Sequence, residues 1–147
     1  MNYPKNLRSL LLLLVLLGVG LASCSKKREG NPKVLIFSKT AGFYHESIPQ
    51  GIAAIQKLGA ENGFEVDTTK NAELINEENL AQYAAVIFLS TTGDVLNPAQ
   101  EADFERYIQS GGGYVGIHAA ADTEYEWGWY GRLVGGYFSD HPGINDP

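Results

Sequence analysis

Tyr114-Val115-Gly116-Ile117-His118-Ala119-Ala120 begins as a short run of strand formers and then changes character at a histidine followed by small residues. A strand that stops at a polar residue is how an open α/β sheet delivers a side chain to its carboxyl edge. The residues in front support that reading. Gly111-Gly112-Gly113 terminates a preceding element, and Asn97-Pro98-Ala99-Gln100 supplies a capping side chain, an early proline and a glutamine placed to complete a capping box. Phe104, Tyr107 and Ile108 form the apolar stripe of the helix between them.

Further upstream, Ala84-Ala85-Val86-Ile87-Phe88-Leu89 and Lys33-Val34-Leu35-Ile36-Phe37 are continuous apolar runs, as expected of parallel strands covered on both faces. Phe64-Glu65-Val66-Asp67-Thr68 alternates and reads as an edge strand. Ser47-Ile48-Pro49-Gln50 repeats the cap, proline and glutamine pattern; Ile52, Ile55 and Leu58 continue the helix, and Asn62-Gly63 ends it. A short helical turn is expected over 80–83. Strand, helix, strand, strand, helix, strand at this spacing predicts a three-layer, doubly wound, flavodoxin-like α/β sandwich with a mostly parallel sheet. Loops 38–46, 90–94 and 118–126 should then converge beyond the strand ends, where such sheets bind ligands. Trp127, Tyr130, Leu133, Val134 and Tyr137 fall on one helical face, with Gly128, Gly131 and Gly135 on another, which predicts a tightly packed final helix.

The first residues have a different logic. Lys5 and Arg8 precede an apolar run over 10–19 that is too short to span a bilayer, followed by Leu21-Ala22-Ser23-Cys24. This ending resembles the bacterial lipobox. It implies a signal over 1–23, a lipidated Cys24 and tether over 24–32, and a domain over 33–147. Several acyl chains, at about 0.8 kcal/mol per buried methylene, make a stable anchor. The expected location is the bacterial cell envelope, with Ser25 after the cysteine pointing to the outer membrane on its periplasmic side.

Cys24 is the only cysteine among the 147 residues, so thiol catalysis and an intramolecular disulfide are excluded. From residue 33 onward six Lys and Arg stand against sixteen Asp and Glu, a balance that repels phosphate backbones and argues against nucleic acid as a partner. There is no Gly-x-Ser-x-Gly elbow, and the glycine triplet precedes a strand, not a helix, so it is no phosphate loop. The chain stops at Gly143-Ile144-Asn145-Asp146-Pro147, a loop-like ending that suggests an incomplete domain.

All three histidines, His45, His118 and His141, lie in segments that this topology directs to one face. Imidazole is the commonest metal ligand and titrates near neutrality, so the three are candidate ligands, and together with carboxylates they suit zinc or a similar divalent ion. His118, Asp122 and His45 are the candidate catalytic residues, with Asp122 and Glu124 able to act as acid and base. Tyr44, Tyr125, Trp129 and Glu124 are candidate substrate contacts, since aromatic faces suit sugar rings and polar edges suit their hydroxyls. Each has a bland counterpart: His45 as a helix cap, His118 as filler, His141 as a turn residue before Pro142, Asp122 as an N-cap, and the aromatics as core.

Ala41-Gly42-Phe43-Tyr44-His45-Glu46-Ser47, Gly116-Ile117-His118-Ala119-Ala120-Ala121-Asp122-Thr123 and Trp129-Tyr130-Gly131-Arg132-Leu133-Val134-Gly135-Gly136-Tyr137-Phe138 with His141-Pro142 resemble, in this order, the trehalose-utilisation (ThuA-like) family of the class I glutamine-amidotransferase-like superfamily. The resemblance implies a role in carbohydrate metabolism, with a disaccharide such as trehalose or its oxidised form as ligand. It also implies that His118 stands where amidotransferases carry their cysteine and that Ala120 replaces a glycine, so amidotransferase activity should be absent. His45 and His141 match the family's histidine motifs. Two functions stay open on these residues: a metal-assisted carbohydrate-modifying enzyme, and a non-catalytic sugar-binding or interaction module.

Overall fold

The structure is a computed structural model and describes residues 30–140. Cys24, the signal-like segment and His141 lie outside the described residues. The elements are β1 (Lys33–Phe37), α1 (Ile48–Asn62), β2 (Glu65–Thr69), a 3-10 turn (Ala72–Leu74), α2 (Glu77–Leu80), β3 (Ala85–Leu89), α3 (Pro98–Gln109), β4 (Gly113–Ile117), a second 3-10 turn (His118–Ala121) and α4 (Gly128–Val134).

The four strands pair in the order β2-β1-β3-β4, and every pairing is parallel. Val34 lies between Val66 and Ala85, and Phe88 pairs with Gly116. Successive side chains alternate between the two faces of the sheet, and each face has its own core. Ile36, Ile87 and Leu89 meet Ile48 and Ile55 of α1 on one side. Leu35, Phe37, Val86 and Phe88 meet Phe104 and Tyr107 of α3 and Tyr130 of α4 on the other. This is the expected three-layer, flavodoxin-like sandwich. Burial of each such side chain contributes about 1.5–3 kcal/mol. The chain reverses direction across the sheet between β1 and β3, so their carboxyl ends form the switch point where a cleft opens.

The two expected capping boxes differ. Asn97 is extended, its side chain accepts from the Ala99 and Gln100 amides, and the Gln100 side chain accepts from the Asn97 amide, which closes the box. Ser47 instead adopts a helical conformation (φ −78°, ψ −8°) and makes no side-chain cap. The Ile48 amide bonds to the His45 carbonyl 3.1 Å away, so the chain is already turning before Ser47 and leaves its hydroxyl no reach to the first amides.

Other local readings shift. Ile48, Ile55 and Gly59 face the sheet while Leu58 is half exposed, because Gly59 takes the position closest to β2. The turn expected over 80–83 begins earlier, at Glu77, where the extended Asn76 caps it by accepting from the Asn79 amide. A turn bond from the Tyr83 amide to the Leu80 carbonyl extends it. Tyr130 is fully buried; its hydroxyl donates to the Ala120 carbonyl at 2.7 Å and meets the Tyr114 hydroxyl at 2.8 Å. That bond fixes α4 to the segment carrying His118.

Candidate functional site

Three loops meet beyond the carboxyl ends of β1, β3 and β4. Thr40 and Thr92 form a parallel bridge, the Ala41 amide donates to the Thr92 carbonyl at 2.7 Å, and the Thr92 hydroxyl donates to the Phe43 carbonyl at 2.8 Å. On the other side the Gly93 amide donates to the Asp122 carbonyl at 2.8 Å, and the Thr123 hydroxyl donates to Thr91 Oγ1 at 2.9 Å. The loop after β3 is thus the shared middle. Its close approach to the first loop needs Gly93, which has φ +73° and whose added Cβ would lie 3.1 Å from the Gly42 nitrogen.

Among the described residues, three non-glycine residues adopt positive φ, and all stand in this region: Ser90 (50°), His118 (55°) and Glu124 (54°). Each left-handed residue carries about 1 kcal/mol of strain. At His118 the strain accompanies the abrupt end of β4 and the entry into the 3-10 turn.

A cavity of about 740 Å³ lies over these ends, walled by Phe43, His45, His118, Asp122, Tyr137 and Phe138 together with small residues. His45 and His118 come from different loops and meet edge to face, ring centroids 4.5 Å apart; Phe43 lies edge-on to His45 at 4.9 Å. His45 Nδ1 is buried and has no hydrogen-bond partner among the described residues. Burial holds the His45 pKa below the usual imidazole value, the neighbouring His118 lowers it further, and Asp122 partly opposes both. A neutral His45 is a proton acceptor at physiological pH.

Asp122 is oriented by Tyr125, whose hydroxyl lies 2.6 Å from Asp122 Oδ1 and 2.8 Å from the Phe138 carbonyl oxygen. The carboxylate and burial push the Tyr125 pKa up to about 12, so its hydroxyl stays a donor. Tyr125 also stacks on Tyr137 at 5.0 Å, and the Phe138 amide bonds to the Ala121 carbonyl. The wall formed by Tyr137 and Phe138 is therefore pinned to the segment carrying Asp122.

Of the residues singled out from sequence, His45, His118 and Asp122 line the cavity together. Tyr125 stands behind it as the partner of Asp122. Tyr44 is partly exposed with the Lys70 ammonium 5.4 Å from its ring centroid, and it is not part of the cavity wall. Trp129 differs from expectation: it stacks on Trp127 at 5.0 Å and meets Phe104 at 6.3 Å, so the core takes its ring. Glu124 differs too. It is buried away from the cavity, where Oε1 accepts from the Val95 and Leu96 amides, both at 2.8 Å. Phe43 and Phe138, which sequence reading did not single out as ligand contacts, supply the apolar walls and are 70% and 42% exposed. Their position beside the two histidine motifs was the available signal.

Among the described residues, His45, His118 and Asp122 do not gather three donor atoms within 4.8 Å of one another. The trio that does so consists of Asp94, Glu101 and Glu124, behind the cavity wall. These are like charges packed together. Burial is the main cause raising the Glu124 pKa to about 7; its two amide bonds oppose this and Asp94 adds to it. Glu101 is raised by burial and by Asp94 as well.

The model of the family described as ThuA, trehalose utilisation, matches residues 33–146. No curated protein matches the chain. Among solved structures, the crystal structure of a ThuA-like protein from Bacteroides uniformis superposes with a TM-score of 0.62 at 27% sequence identity, covering 81% of this chain and 51% of that one. The chain spans about half the length of that relative.

Proposed function

The chain belongs to the ThuA, or trehalose-utilisation, family, and we propose from that premise that its cavity takes a carbohydrate of the trehalose type or its oxidised form. The observation that carries this reading is the pairing of two imidazoles at 4.5 Å in a cavity with exposed aromatic walls. A pyranose has apolar faces and a belt of hydroxyls. Phe43 and Phe138 suit the faces; His45, His118 and Asp122 suit the hydroxyls.

The chemistry these groups offer is proton transfer. His45, held neutral, accepts a proton from a sugar hydroxyl, or from a carbon beside the carbonyl of an oxidised sugar. Asp122, oriented by Tyr125, favours the imidazolium that results. His118 supplies an imidazole where an amidotransferase would present its thiol, so glutamine hydrolysis through a thioester has no nucleophile here and amidotransferase activity is absent in this reading. His118→Ala with the fold intact should abolish sugar binding or turnover. Unchanged sugar affinity and turnover in that variant would sink the proposal.

A binding module without catalysis is the second reading. It is favoured by the positive φ kept at His118, a strained presentation retained on a scaffold whose nucleophile is gone. Sugar affinity without product formation by the wild-type chain would select it.

The N-terminal sequence supports placing the domain on a membrane through lipidated Cys24, at the periplasmic side of the outer membrane in a bacterial envelope. Incorporation of labelled palmitate that disappears in Cys24→Ser is the expected result; equal labelling of both would contradict it.

A further inference from the structure

Glu124 is a buried carboxyl that the sugar reading does not use, and it joins several parts of the site's framework. Its Oε1 holds the Val95 and Leu96 amides at 2.8 Å each. Its own amide donates to the Gly93 carbonyl, and its carbonyl accepts from the Tyr137 hydroxyl at 2.8 Å. One residue thus ties the middle loop to the segment carrying Asp122 and to the cavity wall at Tyr137. Its backbone is held at φ +54°, so the connection is kept against local preference.

The groups around this carboxyl are mostly acidic. Asp94 of the middle loop and Glu101 of α3 have carboxyl oxygens within 4.8 Å of it and of each other. Glu126 and Tyr125 line the same small recess, and Tyr130 of α4 feels the Glu124 charge. Lys39 brings a cation to this loop, its ammonium donating to the Val95 carbonyl at 2.7 Å. The two amides satisfy one oxygen of Glu124, and a carboxyl oxygen of Asp94 lies within 4.8 Å of the group.

We propose that Glu124 is a proton-dependent latch for the cavity: protonated, it donates to Asp94 and clamps the middle loop to the Asp122 segment; ionised, it repels Asp94 and Glu101 and loosens that clamp. The side chain acts on the cavity only through Asp122 and Tyr137 and is a positioning residue. Because the native fold favours the protonated carboxyl more than the unfolded chain does, its contribution is full below the unfolded pKa near 4.5 and is lost as pH rises toward 7. The titration of His45 has the opposite sign, so only a comparison with a Glu124 variant isolates the latch.

The test is urea unfolding of the full chain between pH 5 and pH 8.5 beside Glu124→Gln, which keeps an acceptor for the amides and a donor for Asp94. The difference between wild type and variant should change by about a hundredfold in the folding equilibrium across that range, since each pKa unit is tenfold. Hydrogen exchange at the Gly93 and Glu124 amides, which join the middle loop to the Asp122 segment, should quicken with rising pH beyond its intrinsic base dependence in the wild type, and not in the variant. Parallel pH profiles for the two proteins would overturn the latch. If Glu124→Gln does not fold, Asp94→Asn gives an independent reading: removing the partner charge should move the wild-type transition to lower pH, and an unmoved transition would overturn the proposal equally.

Discussion

The His45 and His118 rings meet edge to face with their centroids 4.5 Å apart, although 73 positions separate them in the chain. Two imidazoles this close cannot both be protonated without repulsion, and burial already disfavours the charge on His45. His45 should therefore titrate below the ordinary histidine range. A folded pKa below the unfolded value means a stability contribution present above about pH 6.5 and lost as pH falls through the folded value. Proton-detected titration of the His45 ring by NMR checks this. His118→Ala should raise the His45 pKa, and an unchanged value would show that the two rings are not electrically coupled.

His118 occupies a left-handed conformation with φ 55°. Glycine relieves that strain and alanine keeps it, so His118→Gly should be more stable than His118→Ala by about 1 kcal/mol. Urea unfolding of the two variants measures the difference. Equal stabilities would mean that the turn relaxes once the imidazole is gone.

Gly59 lies inside α1, where helix propensity alone favours alanine by about 1 kcal/mol. A Cβ there would sit 2.6 Å from the Phe64 carbonyl oxygen and 2.8 Å from Val66 Cγ2. Contact with backbone leaves little room to yield, so Gly59→Ala should destabilise by about 1–3 kcal/mol. A stabilised variant would show α1 packed further from β2 than described.

The Tyr130 hydroxyl is buried and bonds to the Ala120 carbonyl and the Tyr114 hydroxyl at 2.7 and 2.8 Å. Tyr130→Phe keeps the ring and strands both partners, which should lower stability by about 1–3 kcal/mol. Calorimetric unfolding reads this directly, with a neutral effect indicating that water replaces the lost group.

The fold was legible because the deciding signals are local. Asn97-Pro98-Ala99-Gln100 caps a helix by its own chemistry, and the apolar runs at Leu35 and Val86 have no stable place except a covered parallel sheet. The convergence of His45, His118 and Asp122 followed from topology. Residue fates that depend on tertiary packing were not readable: Tyr125 and Trp129 are aromatics four positions apart, yet Trp129 meets Phe104 and Tyr125 holds Asp122. Glu124 looked like a site residue because it follows His118 closely. Its positive φ, which no sequence pattern signals at a glutamate, turns it behind the wall toward Val95 and Leu96.

The central claim is that the imidazole pair sits at a carbohydrate site. The most direct test follows the His45 and His118 ring signals while the chain is titrated with trehalose, its oxidised form, and a sugar phosphate as control. The account predicts saturable shifts of both rings with a neutral disaccharide, lost on Phe43→Ala, whose ring is an exposed part of the cavity wall. A folded chain whose two imidazole signals stay still through the whole sugar series, while responding normally to pH, would contradict it.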